Sequence, residues 1–228
     1  MWFGVVSIFP EMFRAFTDYG VTGIAVRSQK LALAFANPRD FAINAYGSVD
    51  DRPYGGGPGM VMRVEPMVDA VMHLQQLASP NVAHRILLSP QGRLLTQGRA
   101  LELAKLTSII LVAGRYEGID ERVTKLVIDE EISVGDYVVS GGELPAMMLM
   151  DCIARLLPDV LGNKESVLQD SFAQPGLLDH PHYSRPLNYQ GLSVPAVLLS
   201  GDHQAIAAWR LQQAQLRSQL RRPDLYQS

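Results

Sequence analysis

Short apolar runs alternate with stretches of helical spacing along most of the chain. Trp2-Phe3-Gly4-Val5-Val6-Ser7-Ile8-Phe9, stopped by Pro10, predicts a buried strand. A helix carrying Met12, Phe13 and Phe16 follows and closes near Gly20, and the region from there to Tyr46 is weakly patterned. Val64 to Leu77 predicts a helix whose buried face carries Val68, Val71, Met72 and Gln75. Three strand–loop–helix units come next. Arg85–Leu88 ends in Ser89-Pro90-Gln91-Gly92-Arg93, and Thr96 is placed to cap a helix to Leu106. Ser108–Ala113 ends in Gly114-Arg115-Tyr116-Glu117-Gly118, with a helix from Ile119. Glu131–Val139 breaks at Gly141-Gly142 and enters an apolar helix through Glu143 and Pro145. Strands alternating with helices predict an α/β fold: a mostly parallel sheet with helices on both faces.

In such a sheet ligands bind beyond the C-terminal ends of the strands, so three glycine-bearing loops at strand ends mark a candidate site. The segment Asp50-Asp51-Arg52-Pro53-Tyr54-Gly55-Gly56-Gly57-Pro58-Gly59-Met60 is too rich in Gly and Pro for a regular element. It reads equally as a surface loop or a shaped binding loop, and lacks the Lys-Ser/Thr of a P-loop. The helix after Gly142 carries Leu144, Met147, Met148, Leu149, Met150, Ile153, Leu156 and Leu157, interrupted only by Asp151 and Arg155. Apolar nearly all round, it belongs in a core or at a subunit interface, and the chain's length favours a homodimer.

Beyond it, Pro158 and a polar stretch predict an interdomain linker over 163–172, dividing a domain at 1–162 from one at 173–228. Leu177–Pro186 reads as loop and Val194–Gly201 as a short extended segment. The last helix, Gln204 to Arg222, places Trp209, Leu216 and Leu220 on one face and Arg210, Arg217 and Arg221 on the next. With no acid between His203 and Arg222, that basic stripe is either a solvated face or a surface for phosphates. The net charge of −3 does not announce a nucleic-acid binder, but it divides unevenly, −4 over residues 1–162 and +1 over 163–228. The lone Cys152 excludes an internal disulfide and fits a reducing compartment, and no apolar run reaches spanning length, so a soluble cytoplasmic protein is expected. The histidines offer no metal-ligand spacing beyond the weak His180-Pro181-His182, so no metal site is predicted.

Five motifs in order carry a specific resemblance. Asp51–Met60, Leu88–Gly92, Gly114-Arg115-Tyr116-Glu117-Gly118-Ile119-Asp120-Glu121-Arg122, Ser133–Pro145 and Asp170-Ser171-Phe172 resemble the bacterial tRNA (guanine-N1)-methyltransferases, the TrmD type of the SPOUT superfamily. The resemblance implies transfer of methyl from S-adenosylmethionine to N1 of guanosine 37 in tRNA, beside the anticodon. It implies a C-terminal trefoil knot in the methyltransferase domain and a small helical C-terminal domain that binds tRNA. It also implies a homodimer whose active site is shared between subunits.

Carried over by position, the cofactor-binding residues are Pro90, Gly114, Tyr116, Glu117, Val134, Gly135, Asp136, Tyr137, Val138, Val139, Gly141, Gly142 and Pro145. Asp170 matches the general base and Arg155 the essential arginine. The chemistry asks for both types. N1 of guanine carries a proton at neutral pH that a carboxylate can take, and a guanidinium can meet the charge that builds toward O6. Mg²⁺ near the anionic RNA is compatible with this scheme but not needed by it. Without the resemblance, Asp170 would read as a linker cap residue and Arg155 as the partner of Asp151. The rival readings are another SPOUT RNA methyltransferase and an RNA-binding protein without catalysis.

Overall fold

The computed structural model describes residues 1–43, 46–161 and 169–225. Residue contacts divide the chain into two compact units, Met1–Gly162 and Asn163–Ser228. The predicted linker lies outside the described residues over 163–168.

In chain order the first unit contains β1 (Trp2–Val6), a 3₁₀ turn (Pro10–Phe13), α1 (Arg14–Thr17), α2 (Gly20–Arg27), β2 (Ala32–Ala36) and a second 3₁₀ turn (Pro38–Phe41). The strand pair β3 (Asp50–Asp51) and β4 (Val61–Met62) follows, then α3 (Val64–Leu77), β5 (His84–Leu94), α4 (Gln97–Leu103) and β6 (Ser108–Ala113). α5 (Glu121–Val127), β7 (Glu130–Ser133) and α6 (Glu143–Ala154) complete it. Five strands form one sheet in the order β2-β1-β6-β5-β7, and every pairing is parallel.

Alternation along the central strands builds a core on each face. Phe3 and Val5, Ile109 and Leu111, and Ile86 and Leu88 point to one side, where α1, α2, α4 and α6 supply Phe16, Ala25, Leu103 and Leu149. Val6, Ile110, Val112 and Leu87 point to the other, against Met67, Ala70 and Leu74 of α3 and Val123 of α5. The predicted α/β sheet with helices on both faces is therefore present.

Several details differ from the pattern-based expectations. The weakly patterned region holds the edge strand β2, whose alanines and partial exposure conceal it. The buried stripe of α3 is Met67, Ala70, Val71 and Leu74, whereas Met72 faces outward. β7 stops at Ser133, and Val134 to Gly142 is loop. α6 buries Ala146, Leu149, Met150, Ile153 and Ala154 in its own unit, but Leu144 and Met148 remain about half exposed, in line with exposed Asp151 and Arg155. Cys152 is half-buried, and burial followed by the nearby Asp151 charge pushes its thiol pKa up, as suits an unreactive packing residue.

The second unit contains a hairpin, β8 (Asn188–Tyr189) and β9 (Leu192–Ser193), turning through Gln190 and Gly191, both at positive φ. A 3₁₀ turn (Ala196–Leu199) replaces the extended segment expected there. α7 (His203–Arg221) starts at Asp202, whose Oδ1 accepts from the Gln204 and Ala205 amides at 3.0 Å. Its buried residues are Ala214 and Ser218, while Leu216 and Leu220 are exposed and Arg217 is half-buried, which reverses the predicted apolar and basic faces at those positions. Ser218 Oγ donates to the Ala214 carbonyl at 2.8 Å and accepts from the Leu178 amide at 2.8 Å, pinning the 177–178 segment to the helix.

Candidate active site

Because the sheet is parallel, β5, β6 and β7 end on one edge, and the chain departs from regular structure at each end. In β5 the register with β7 slips between Leu88 and Arg93, so Ser89–Gly92 leave the ladder. A side chain at Gly92 would overlap the Glu131 backbone, so only glycine lets β5 rejoin β7 after this excursion. After β6, Gly114–Asp120 crosses toward the β3–β4 arm. There the Glu117 amide donates to the Met60 carbonyl at 2.9 Å and the Met62 amide to the Gly118 carbonyl at 2.9 Å. Tyr116 is held at φ +62, a left-handed conformation unusual for a side chain of its size. After β7, Ser133 Oγ and the Gly135 backbone brace the start of the loop, and the Gly142 amide donates to the Gly114 carbonyl at 2.9 Å. A Cβ at Gly142 would lie 2.7 Å from the Ala113 Cα, so the two loops meet backbone to backbone.

These three departures enclose a cavity of about 320 Å³. Its walls are 87–91, 114–119, 131–135, 137–142 and Pro145, with Glu121 and Thr124 of α5. Every cofactor-binding candidate except Asp136 lines it, and Asp136 is exposed on the loop outside. The Gly/Pro-rich 50–59 segment does not line it, although its far end reaches Glu117: a side chain at Gly59 would overlap that carboxylate. Tyr116, Tyr137, Val138 and Val139 stand partly exposed around the opening. Walls of glycine backbone, apolar side chains, two tyrosines and the carboxylates of Glu117 and Glu121 suit an elongated ligand with a flat heterocycle and a charged amine.

Below the cavity lies a polar network that the motifs do not reveal. Glu143 is fully buried at the first position of α6. Ser7 Oγ donates to its Oε1 at 2.7 Å, and Arg115 Nε donates to its Oε2 at 2.9 Å. Arg115 Nη1 also donates to the Ser140 carbonyl at 3.1 Å. An acid in the first turn of a helix is ordinary, and the partners lie 136 and 28 residues away, so spacing carries no sign of this arrangement.

Arg155 is exposed at the C-terminal end of α6 in the first unit. Asp170 belongs to the second unit, where it is half-buried and lines a cavity of about 450 Å³ together with Leu177, Asp179, His180, His203 and Arg210. In the same loop the donor atoms of Asp179, His180 and His182 lie within 4.8 Å of one another. The Asp179 carboxylate is already engaged: it accepts from the His180 amide at 2.7 Å and pairs with His182 Nε2 at 2.7 Å. Burial pushes its pKa up, but the His182 and backbone hydrogen bonds and the two imidazoles outweigh this and hold it low. The cluster thus fastens the loop that forms one wall of the Asp170 cavity. Among the described residues, no helix is long and apolar enough to cross a membrane.

The sequence profile of the family described as tRNA (Guanine-1)-methyltransferase TrmD matches residues 1–228. Proteins named tRNA (guanine-N(1)-)-methyltransferase are close in sequence. That of Shewanella denitrificans is 58% identical over 228 residues, 100% of this chain and 91% of that protein. That of Pseudoalteromonas atlantica is 60% identical over 224 residues, 98% of this chain and 84% of that protein. With a match over its full length and relatives of this similarity, the chain belongs to the tRNA (guanine-1)-methyltransferase TrmD family.

Proposed function

We propose that the protein transfers a methyl group from S-adenosylmethionine to N1 of guanosine 37 in tRNA. The observation that carries this reading is the cavity at the ends of β5, β6 and β7, lined by the family's glycine loops in a chain of that family. S-adenosylmethionine supplies a methyl already activated on a sulfonium. The cavity's fit to it rests on the close-packed glycine turn at Gly142, which brings peptide groups to the wall, and on the Glu117 and Glu121 side chains that line it and can meet its amine.

The protein's part is proton removal, charge stabilisation and alignment. The Asp170 carboxylate takes the N1 proton, the N1–carbon bond forms as the sulfur–carbon bond breaks, and S-adenosylhomocysteine leaves as a neutral thioether. The Arg155 guanidinium meets the negative charge growing toward guanine O6. The surrounding loops hold nucleophile, methyl and sulfur in line.

The active form in this reading is a homodimer, with Asp170 of one subunit serving the donor cavity of the other. Its support is the outward face of α6, where Leu144 and Met148 lie half exposed beside Arg155. The knotted crossing expected of the family is supported by the β5 excursion at 89–92 and by the return of the chain after β7 to the end of β6. The basic side chains of α7 and the loop over 177–186 would meet the tRNA. A cytoplasmic location is part of this reading, supported by a tRNA substrate and by a lone, free Cys152.

The test is transfer of labelled methyl from S-adenosylmethionine into unmodified tRNA carrying guanosine at 36 and 37. Label is expected with the wild type, at a rate reduced about 10²-fold or more for Asp170→Ala, and not with tRNA substituted at 37. Label that survives the base substitution would refute the assigned position, and an unimpaired Asp170→Ala would refute the assigned base.

A further inference from the structure

Glu143 has no solvent exposure, and a carboxylate out of water is costly unless every oxygen is engaged. Here both are, and the groups that engage them come from different strand ends. Ser7, just beyond β1, donates to one oxygen at 2.7 Å, and its own Oγ accepts from the Phe9 amide at 2.9 Å. Arg115, just beyond β6, donates to the other at 2.9 Å. The same guanidinium reaches the loop after β7 by donating to the Ser140 carbonyl at 3.1 Å, and it lies over the Phe9 ring, 4.8 Å from its centroid. A side chain at Gly141 would overlap Arg115, so the loop rests directly on the guanidinium. One chain of charge-assisted bonds thus joins β1, α6, β6 and the 134–142 loop.

The placement is what distinguishes this network from core packing. Arg115 and Ser140 both line the donor cavity, and Arg115 lies between Gly114 and the left-handed Tyr116, which line it too. The network therefore fixes backbone groups that face the ligand.

We propose that Arg115 and Glu143, supported by Ser7, are positioning residues that hold the 134–142 loop in its donor-binding shape and so set affinity for S-adenosylmethionine rather than for tRNA. This inference rests on the reading of the strand-end cavity as the donor site. The geometry also makes a demand on residue type. Arg115 serves the Glu143 carboxylate from Nε and the Ser140 carbonyl from Nη1, so a lysine at 115 keeps the charge but, with a single nitrogen, is expected to lose one of the two contacts.

The experiment measures S-adenosylhomocysteine binding by calorimetry, and separate KM values for S-adenosylmethionine and tRNA, in wild type, Glu143→Gln, Arg115→Lys and Ser7→Ala. Glu143→Gln and Arg115→Lys are expected to weaken S-adenosylhomocysteine binding and raise the donor KM about tenfold. Ser7→Ala is expected to do so about threefold, with the tRNA KM within about twofold of wild type throughout. If Glu143→Gln does not fold, Arg115→Lys and Ser7→Ala decide the question. Donor affinity unchanged in the folded variants overturns the proposal. So does a parallel rise in both KM values, which marks a merely structural role. A wild type that does not bind S-adenosylhomocysteine overturns the donor-site reading itself, and the proposal with it.

Discussion

The two ends of the same parallel sheet hold their charges in opposite ways. At the C-terminal edge, one carboxylate, Glu143, is sealed beneath the cavity, with Ser7 on one oxygen and Arg115 on the other. At the N-terminal edge of β5 and β7, Asp129 pairs with Arg85, and Glu130 is shared between Arg99 and His84. Arg99 also holds Glu102 at 2.6 Å, and these groups keep partial contact with water. The outer cluster fastens the starts of strands, where chain ends are short and regular. The sealed network holds irregular loops whose backbone has no ladder to keep it in place. A ligand site made of loops needs that internal bracing, and an edge made of strand starts does not.

The sharpest way to break the comparison is to remove one arginine from each end. Arg115→Ala leaves Glu143 buried without its charged partner and is expected to cost about 3–5 kcal/mol, read from urea unfolding of the intact chain. Arg99→Ala leaves Glu130 with His84 and some water, and about 2 kcal/mol is expected. Equal losses would show that burial does not separate the two networks.

A smaller effect concerns acid. The Arg85 hydrogen bond is the main cause that holds Asp129 below its ordinary pKa, against burial. Burial pushes Glu130 up, but hydrogen bonds from Arg99 and His84 outweigh it and hold it below its ordinary value. Carboxylates depressed in the folded state contribute stability that is present above their unfolded pKa and lost as pH falls through the folded one. The melting temperature should therefore fall as pH drops below the ordinary carboxylate range, and Arg99→Ala should flatten that fall. A wild type and Arg99→Ala with parallel pH curves would remove Glu130 from the account.

Much of this was legible in the chain because it is local. Ser108–Ala113 is apolar from end to end and forms a strand over those residues, buried throughout. Thr96 caps α4, its side chain accepting from the Arg99 amide at 3.2 Å. The glycine loops announce themselves by composition, and all three face one cavity because parallel strands end together. What escaped was either weak in signal or distant in sequence. Ala70 carries little weight in a hydrophobic pattern, yet it is fully buried on α3 where the larger Met72 is not. The β8–β9 hairpin turns at Gln190-Gly191, which lacks the usual Asn-Gly signal. Arg115 and Glu143 were visible as residues of motifs, but their pairing depends on how β6 and α6 pack.

The central claim is that the cavity beyond β5, β6 and β7 holds the methyl donor. Hydrogen–deuterium exchange on the whole protein, with and without saturating S-adenosylhomocysteine, tests it most directly. Protection is predicted in 87–92, 114–120 and 134–142, with the N-terminal ends of β5 and β7 unchanged. Ligand-dependent protection elsewhere, with those three loops unaffected, would contradict the account.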